Sequence, residues 1–308
     1  MNVKQTQNRL FGLILPAILC TALWGSAAPC IKLGYALFGI VREDSFSQLV
    51  FAGWRFTLAG LLTLLIAALL RRGPLLPNRG NIKAILSISL FQSMIQYVCY
   101  YIGLARTTGT NGALLSGTQT FFAILFAHLL LKDDKLTRAK ALGCLVGFSG
   151  VIVLNLGGAF GGFTLLGDGL VLLSAASAGM GALVSRVMTP GHDPVILTAW
   201  QLIFGGLLLL GLGYAGGGTP GTFTPAGALL LLYMIALSSA AFTVWTALLA
   251  RWPVGKVTIF GFLIPVFGAF FSALLLGEQL LSVRNLAALA LVSAGVILAN
   301  RSKSDTPG

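Results

Sequence analysis

Charged residues in this chain are few and stand far apart. Between Arg9 and Lys32 lie 22 uncharged residues, between Lys83 and Arg106 another 22, and between Arg106 and Lys132 another 25. A helix crossing the ~30 Å hydrocarbon core of a bilayer needs about 20 apolar residues, in a range of about 17–25. The uncharged stretch from Asp193 to Arg251 is 57 residues long, too long for one crossing, and is broken by Gly216-Gly217-Gly218-Thr219-Pro220-Gly221 and Pro225. On this ruler the chain holds ten spans, near residues 11–33, 47–70, 83–105, 108–131, 137–156, 166–185, 195–213, 226–249, 256–276 and 282–300. The expected fold class is an all-α polytopic membrane protein. Composition agrees, with 9% charged residues against roughly a quarter in soluble domains.

The net charge of +12 then reads as topology rather than nucleic-acid affinity. With the N-terminus inside, fifteen Lys and Arg fall in cytoplasmic segments, while Arg42, Arg106 and Arg284 lie outside and Lys32 and Arg55 fall within spans. This positive-inside bias puts both termini in the cytoplasm of a cell with the chain in its inner membrane. No segment between spans is long enough to fold into a basic nucleic-acid surface, so the expected partners are the lipid bilayer and a small-molecule substrate. The chain is expected to act as a monomer or a homodimer. Cys20, Cys30, Cys99 and Cys144 all fall within spans, without disulfide or metal spacing, and no metal or cofactor is expected. Lys4, Arg9 and Ser26-Ala27-Ala28 have the look of a signal peptide, but Pro29 follows at once and the apolar run is long, so span 1 is expected to be retained.

Sliding the chain on itself by 145 residues aligns Leu104-Ala105-Arg106 with Leu249-Ala250-Arg251, Asp133 with Glu278, Thr137 with Ser282, and Gly150-Val151-Ile152 with Gly295-Val296-Ile297. At nearly the same offset Trp54 falls on Trp200 and Gly60 on Gly206. The repeat unit holds five spans, 1–156 and then 163–308. An odd number inserts the second copy upside down, so the ten transmembrane helices are expected to form two inverted five-helix repeats. Arg106 then ends its span outside and its mate Arg251 inside. Many secondary transporters use this architecture for alternating access around a midplane site.

The helix end Leu274-Leu275-Leu276-Gly277-Glu278-Gln279-Leu280, the upstream Pro265-Val266-Phe267 and the trailing Gly295-Val296-Ile297-Leu298 resemble the EamA domain of the drug/metabolite transporter superfamily. Trp24-Gly25 also fits. The first unit departs from that pattern, with Lys132-Asp133-Asp134 in place of Gly-Glu and Thr120 in place of the proline. The resemblance covers nearly the whole chain as two copies. It implies ten helices, cytoplasmic termini and transport, often export, of a small metabolite.

Depth along each span follows from its charged ends at about 1.5 Å per residue. Gln92, Gln96, Gln119, Ser177 and Ser238 come out about 14–20 Å deep, converging near the midplane. Gln92, Gln96 and Tyr100 also sit at i, i+4 and i+8, on one helix face. Trp24 and Trp245 are expected in the cavity wall, which makes these eight residues the expected substrate-binding set; interhelical hydrogen bonding is the plainer use of the same polar groups. Pro29 and Pro265 are expected to break or kink spans 1 and 9, and Lys32 and Arg55 to lie toward the outer mouth, either snorkelling or gating anions. His128, near the cytoplasmic end of span 4, reads as a snorkelling or core-bonded side chain, and Asp133 with Glu278 as turn and cap structure. Gly143 and Gly147 form a face of small residues for close packing.

All eight acids lie at or beyond span ends. No carboxylate is left near the midplane to carry a proton or pair with a cation, which weakens proton coupling. Gly211, Gly213 and Gly216 match a dinucleotide fingerprint only in spelling, since no strand precedes them. The expected function is secondary transport or export of a small metabolite, an amino acid or a relative, and not an enzyme activity. The alternatives are a nucleotide-sugar or organophosphate exchanger, which should place Lys32 or Arg55 in the cavity, and more remotely an intramembrane serine protease built on Ser149 and His128. Those two residues come out about 12 Å apart in depth, beyond hydrogen-bond reach.

Overall fold

Inside a bilayer a spanning segment must close its backbone hydrogen bonds on itself, and helices do so residue by residue. The structure, a computed structural model, describes residues 3–41, 43–104, 106–107, 115–155, 163–276 and 283–300; no strand occurs among them. Helix α1 (Val3–Phe38) is followed by α2 (Ser45–Leu69) and α3 (Ile82–Ser89). A π segment (Leu90–Ile95) carries α3 into α4 (Gln96–Leu104), with α5 (Gln119–Leu130) and α6 (Arg138–Asn155) after it. A second π segment (Leu165–Gly169) opens α7 (Leu170–Met188), then come α8 (Pro194–Ala215) and α9 (Pro225–Arg251). The short α10 (Val254–Thr258), a 3-10 turn (Ile259–Phe262), α11 (Leu263–Leu276) and α12 (Val283–Asn300) complete the described chain.

Six helical stretches are long and apolar enough to cross a membrane: Gly12–Phe38, Ser45–Leu69, Ile82–Gly103, Leu165–Met188, Pro194–Ala215 and Pro225–Arg251. The chain is a multi-pass, all-helical membrane protein. Of the four other expected spans, three coincide with shorter apolar helices, Leu115–Leu130, Val254–Gly268 and Leu286–Ala299, and one with α6.

Caps explain where the helices begin. Asp44 accepts the Ser47 backbone N–H at 2.9 Å at the start of α2, and hydrogen bonds from Ser47 hold its carboxyl below the usual aspartate value. Asp193 accepts from Val195 at 2.8 Å before α8, and Thr224 from Gly227 at 3.0 Å before α9, each followed by Pro at the first helical position. Thr137 accepts the Lys140 N–H at 3.2 Å at the start of α6, the capping role its sequence position suggests. Its repeat mate Ser282, like Glu278, lies outside the described residues. Past α8, Gly217 takes φ +84°, open to glycine at little cost, and turns the chain toward α9.

With lipid on the outside, helix association rests on close packing of small residues rather than on hydrophobic exclusion. The two most extensive pairings are α2 with α8 and α6 with α12. A Cβ added at Gly60 would lie 2.6 Å from the Ala199 carbonyl oxygen, and one at Gly206 2.4 Å from the Thr57 nitrogen. Gly143 and Gly150 meet Gly295, Ala299, Ala288 and Val292 in the same way, so α6 does use its small residues for close approach. Helix α1 packs on α9 and α11, α7 on α4 and α5, α2 on α9, and α8 on α3.

The two largest apolar clusters frame the site. One gathers Leu13, Ala17, Cys144, Leu249, Phe260 and Val292; the other gathers Phe38, Leu49, Phe51, Leu209 and Met234. Trp24 packs against both, and the site described next lies at that junction.

Candidate functional site

Between the two clusters is a cavity of about 270 Å³, lined from α1, α2, the Ile82–Leu104 helix run, α5, α7, α9 and the segment through Gly261. Six of the eight expected binding residues reach it: Trp24, Gln92, Gln96, Tyr100, Gln119 and Trp245. Trp24 stands edge-on to both Phe242 and Trp245, with ring centroids 5.4 and 5.0 Å away, and forms an aromatic wall with them. Phe56 continues it, 6.0 Å from Phe242 and 4.5 Å from Tyr97.

The polar side of the cavity is built on the π segment. A π turn takes more residues per turn than an α-helix and leaves backbone carbonyls out of register, which is why such turns favour functional sites. Ser177 Oγ donates to the Phe91 carbonyl at 2.7 Å, and Ser174 Oγ to the Gln96 carbonyl at 2.8 Å, tying α7 to this stretch. Gln92 and Gln96 therefore do not share a strict α-helical face with Tyr100, yet all three line the cavity, and Tyr97 and Tyr101 join them. Gln92 has a second use: its Oε1 accepts from Gln201 Nε2 at 3.0 Å and from Ser185 Oγ at 3.2 Å. Interhelical bonding and cavity lining are thus combined in one residue.

Arg55 is the charged group of the wall. It is 4% exposed, lines the cavity, and its guanidinium carbon lies 5.0 Å from the centre of the Phe56 ring. Its Nε donates to Ser238 Oγ at 2.9 Å, and Ser238 in turn donates to the Met234 carbonyl at 2.7 Å. Among the described residues no carboxylate forms an ion pair with it. A charge at mid-bilayer depth costs about 2.5–3.5 kcal/mol on insertion scales, and one cation–π contact offsets about 0.5–2 kcal/mol of that. Another lining donor lacks a partner as well: Trp24 Nε1–H is buried with no acceptor.

Two of the eight expected binding residues lie off the lining. Ser177 caps the Phe91 carbonyl behind the wall, and Ser238 supports Arg55. The expected gating residues also divide. Arg55 lines the cavity, its side chain held by Ser238. Helix α1 runs unbroken through Pro29, whereas span 9 changes helix type at Ile259–Phe262, where Pro265, lacking an N–H, leaves the Gly261 carbonyl without its helical donor. The side chains of Lys32 and Pro265 lie outside the described residues.

His128 Nδ1 accepts the Leu136 N–H at 3.2 Å, and Ser149 Oγ donates to the Val146 carbonyl at 2.7 Å, so each is engaged locally. Asp133 pairs with Arg186 at 3.2 Å. Sequence reasoning left Tyr97, Tyr101 and Phe242 out of the set. An i, i+4 tyrosine pair beside the glutamine stripe was the available signal for the first two.

The turn between α5 and α6 carries a buried charged pair. Lys140 Nζ and Asp134 Oδ1 form an ion pair at 2.9 Å with side chains 1% and 2% exposed. Asp134 Oδ2 also accepts the Gly255 N–H at 3.2 Å, which pins the start of α10 to the α5–α6 turn.

Residues 11–156 and 165–301 each match the EamA-like transporter family. An uncharacterized transporter of Bacillus subtilis, YvbV, is 29% identical across 97% of this chain and 94% of its own length. An uncharacterized transporter of Archaeoglobus fulgidus is 27% identical over 85% of this chain and 88% of its own. A chloroplastic WAT1-related protein of Arabidopsis thaliana is 27% identical over 89% of this chain, which spans 65% of that protein. One solved structure shares the fold with a TM-score of 0.77 at 20% identity, covering 93% of this chain and 97% of that one.

Proposed function

Since the chain belongs to the EamA-like transporter family of the drug/metabolite transporter superfamily, we propose that it moves a small polar or amphipathic metabolite, an amino acid or a relative, by alternating access. The cavity is the route, and residues 1–156 and 163–308 are two inverted five-helix halves that rock about it in the inner membrane, with both termini cytoplasmic. The observation that carries this reading is that one cavity draws its wall from both halves: Trp24, Gln96, Tyr100 and Gln119 from the first, and Ser174 and Trp245 from the second.

The helix pairings support the inverted repeat. Exchanging the halves turns α1 on α11 into α7 on α5, and α2 on α9 into α8 on the α3–α4 run, while α2–α8 and α6–α12 map onto themselves. Single contacts follow the same rule. A Cβ at Gly25 would meet Phe267 and the Gly268 backbone, and one at Gly179 would meet Phe122 and Ala123; the contacted residues stand 145 apart and the two glycines 154 apart.

Arg55 in the cavity favours an anionic solute and keeps the organophosphate or nucleotide-sugar exchanger as the second reading. It stays second because a phosphate brings more charge than one guanidinium neutralises. No carboxylate appears among the described lining residues, so flux in proteoliposomes is expected to persist when a proton ionophore collapses the pH gradient. Flux lost with the ionophore and restored by an imposed gradient would show proton coupling instead.

A further inference from the structure

Resting on the transport reading, we propose that Arg55 is the anion receptor of the cavity, and that the transported solute presents a single carboxylate to it and lays an apolar body against the aromatic wall. The guanidinium is held for this task. Its Nε is committed to Ser238, whose own proton is committed to the Met234 carbonyl, so the hydroxyl accepts and cannot turn to donate. The two terminal nitrogens are left to the cavity that the residue lines. No carboxylate among the described residues neutralises them.

Trp24 contributes an independent observation. Its indole N–H is buried with no acceptor among the described residues, and the residue lines the same cavity from a different helix. Buried polar groups are almost always hydrogen-bonded, and two unmatched donors at one cavity call for a ligand rich in acceptors. A planar guanidinium fork matches the two oxygens of a carboxylate, and the match supplies charge as well as geometry. One cation among the described lining residues answers one negative charge; a dianion would leave charge uncompensated in a poorly hydrated site. The edge-on cluster of Trp24, Phe242 and Trp245, with Tyr97 beside it in the lining, offers π faces and ring edges to the rest of the solute. An amino acid meets these terms through its carboxylate, and so does a simple aryl or branched monocarboxylate.

The test uses full-length protein in detergent and matched probe pairs that differ only at the acid group: 3-phenylpropionate with its amide, 4-methylpentanoate with its amide, and phenylalanine with phenylalaninamide. Phenyl phosphate is added as a dianion. Protection against thermal unfolding is titrated with each probe in wild type, Arg55→Gln and Arg55→Lys, and flux of the protective probes is followed in proteoliposomes. At least one carboxylate is expected to protect at about a ten- to hundredfold lower concentration than its amide, the range a charge-assisted hydrogen bond supplies. Arg55→Gln should erase that preference, and Arg55→Lys should retain part of it. Equal protection by acid and amide in wild type overturns the receptor even if Arg55→Gln does not fold, as does an unchanged preference in Arg55→Gln. Stronger protection by phenyl phosphate would assign the site to phosphate and overturn the carboxylate. Arg55-dependent binding without flux of any protective probe would overturn the transport reading while leaving the receptor in place.

Discussion

Arg55 Nε donates to Ser238 Oγ across 2.9 Å, and this one bond joins α2 to α9 across the cavity wall. Arg55 is the one charged residue of α2 and Ser238 lies within the apolar run of α9, behind the lining where no solute touches it. Its role is to aim the guanidinium. Replacing Ser238 by Ala removes an acceptor from a buried cation, a loss of about 1.5–3 kcal/mol for a bond to a charged group. The variant is expected to need about tenfold more solute for half-maximal flux, with Ser238→Thr close to wild type. Half-saturation constants in proteoliposomes, measured beside the unfolding temperature, check this. A drop in stability with unchanged half-saturation would make Ser238 a packing residue only.

The α2–α8 interface is held by backbone proximity, which leaves no space for a side chain at Gly60, where a Cβ would sit 2.6 Å from the Ala199 carbonyl. Gly60→Val is expected to destabilise the fold by about 1–3 kcal/mol or more through overpacking. Gly211, whose added Cβ would meet nothing within 4 Å, is the control, and Gly211→Ala should unfold at or above the wild-type temperature. Thermal unfolding in detergent separates the two.

Asp134 and Lys140 neutralise one another in a nearly dry site, so removing one partner strands the other. Either Lys140→Met or Asp134→Asn should cost about 3–5 kcal/mol, while the double variant should cost less than the sum of the two. At an offset of 145 the repeat carries Gln279 and Asn285 in their place, so the charged latch has no charged copy in the second half. A double-mutant cycle on unfolding free energy measures the coupling; additive effects would show that the two charges act separately.

Much of the architecture was legible because a bilayer imposes so few solutions. Charge spacing located the helices, and Gly60, Gly206, Gly150 and Gly295 marked the repeat before their contacts were visible. Of the expected binding set, Trp24, Gln92, Gln96, Tyr100, Gln119 and Trp245 reach the cavity. The serines were harder. Ser174 and Ser177 both donate to carbonyls of the Phe91–Gln96 stretch, and of the two only Ser174 also lines the cavity. Depth along a helix fixes the Cα of Arg55 but not the direction of its long side chain, whose partner Ser238 lies more than 180 residues away in sequence. Tyr97 and Tyr101 enter because a π turn widens the face that a strict α-helical period would present.

The central claim is that solute passes through the cavity shared by the two halves. Ala178 lines that cavity, and Ala178→Trp would fill much of it while leaving the Asp134–Lys140 pair, which is not part of the lining, in place. Solute counterflow in proteoliposomes, run with wild type and Ala178→Trp at matched incorporation and with unfolding temperature as the folding control, is the direct measurement. Wild type is expected to accumulate labelled solute against an unlabelled internal pool, and the folded Ala178→Trp protein to stay at the level of empty liposomes. Counterflow by Ala178→Trp at the wild-type rate would contradict this route.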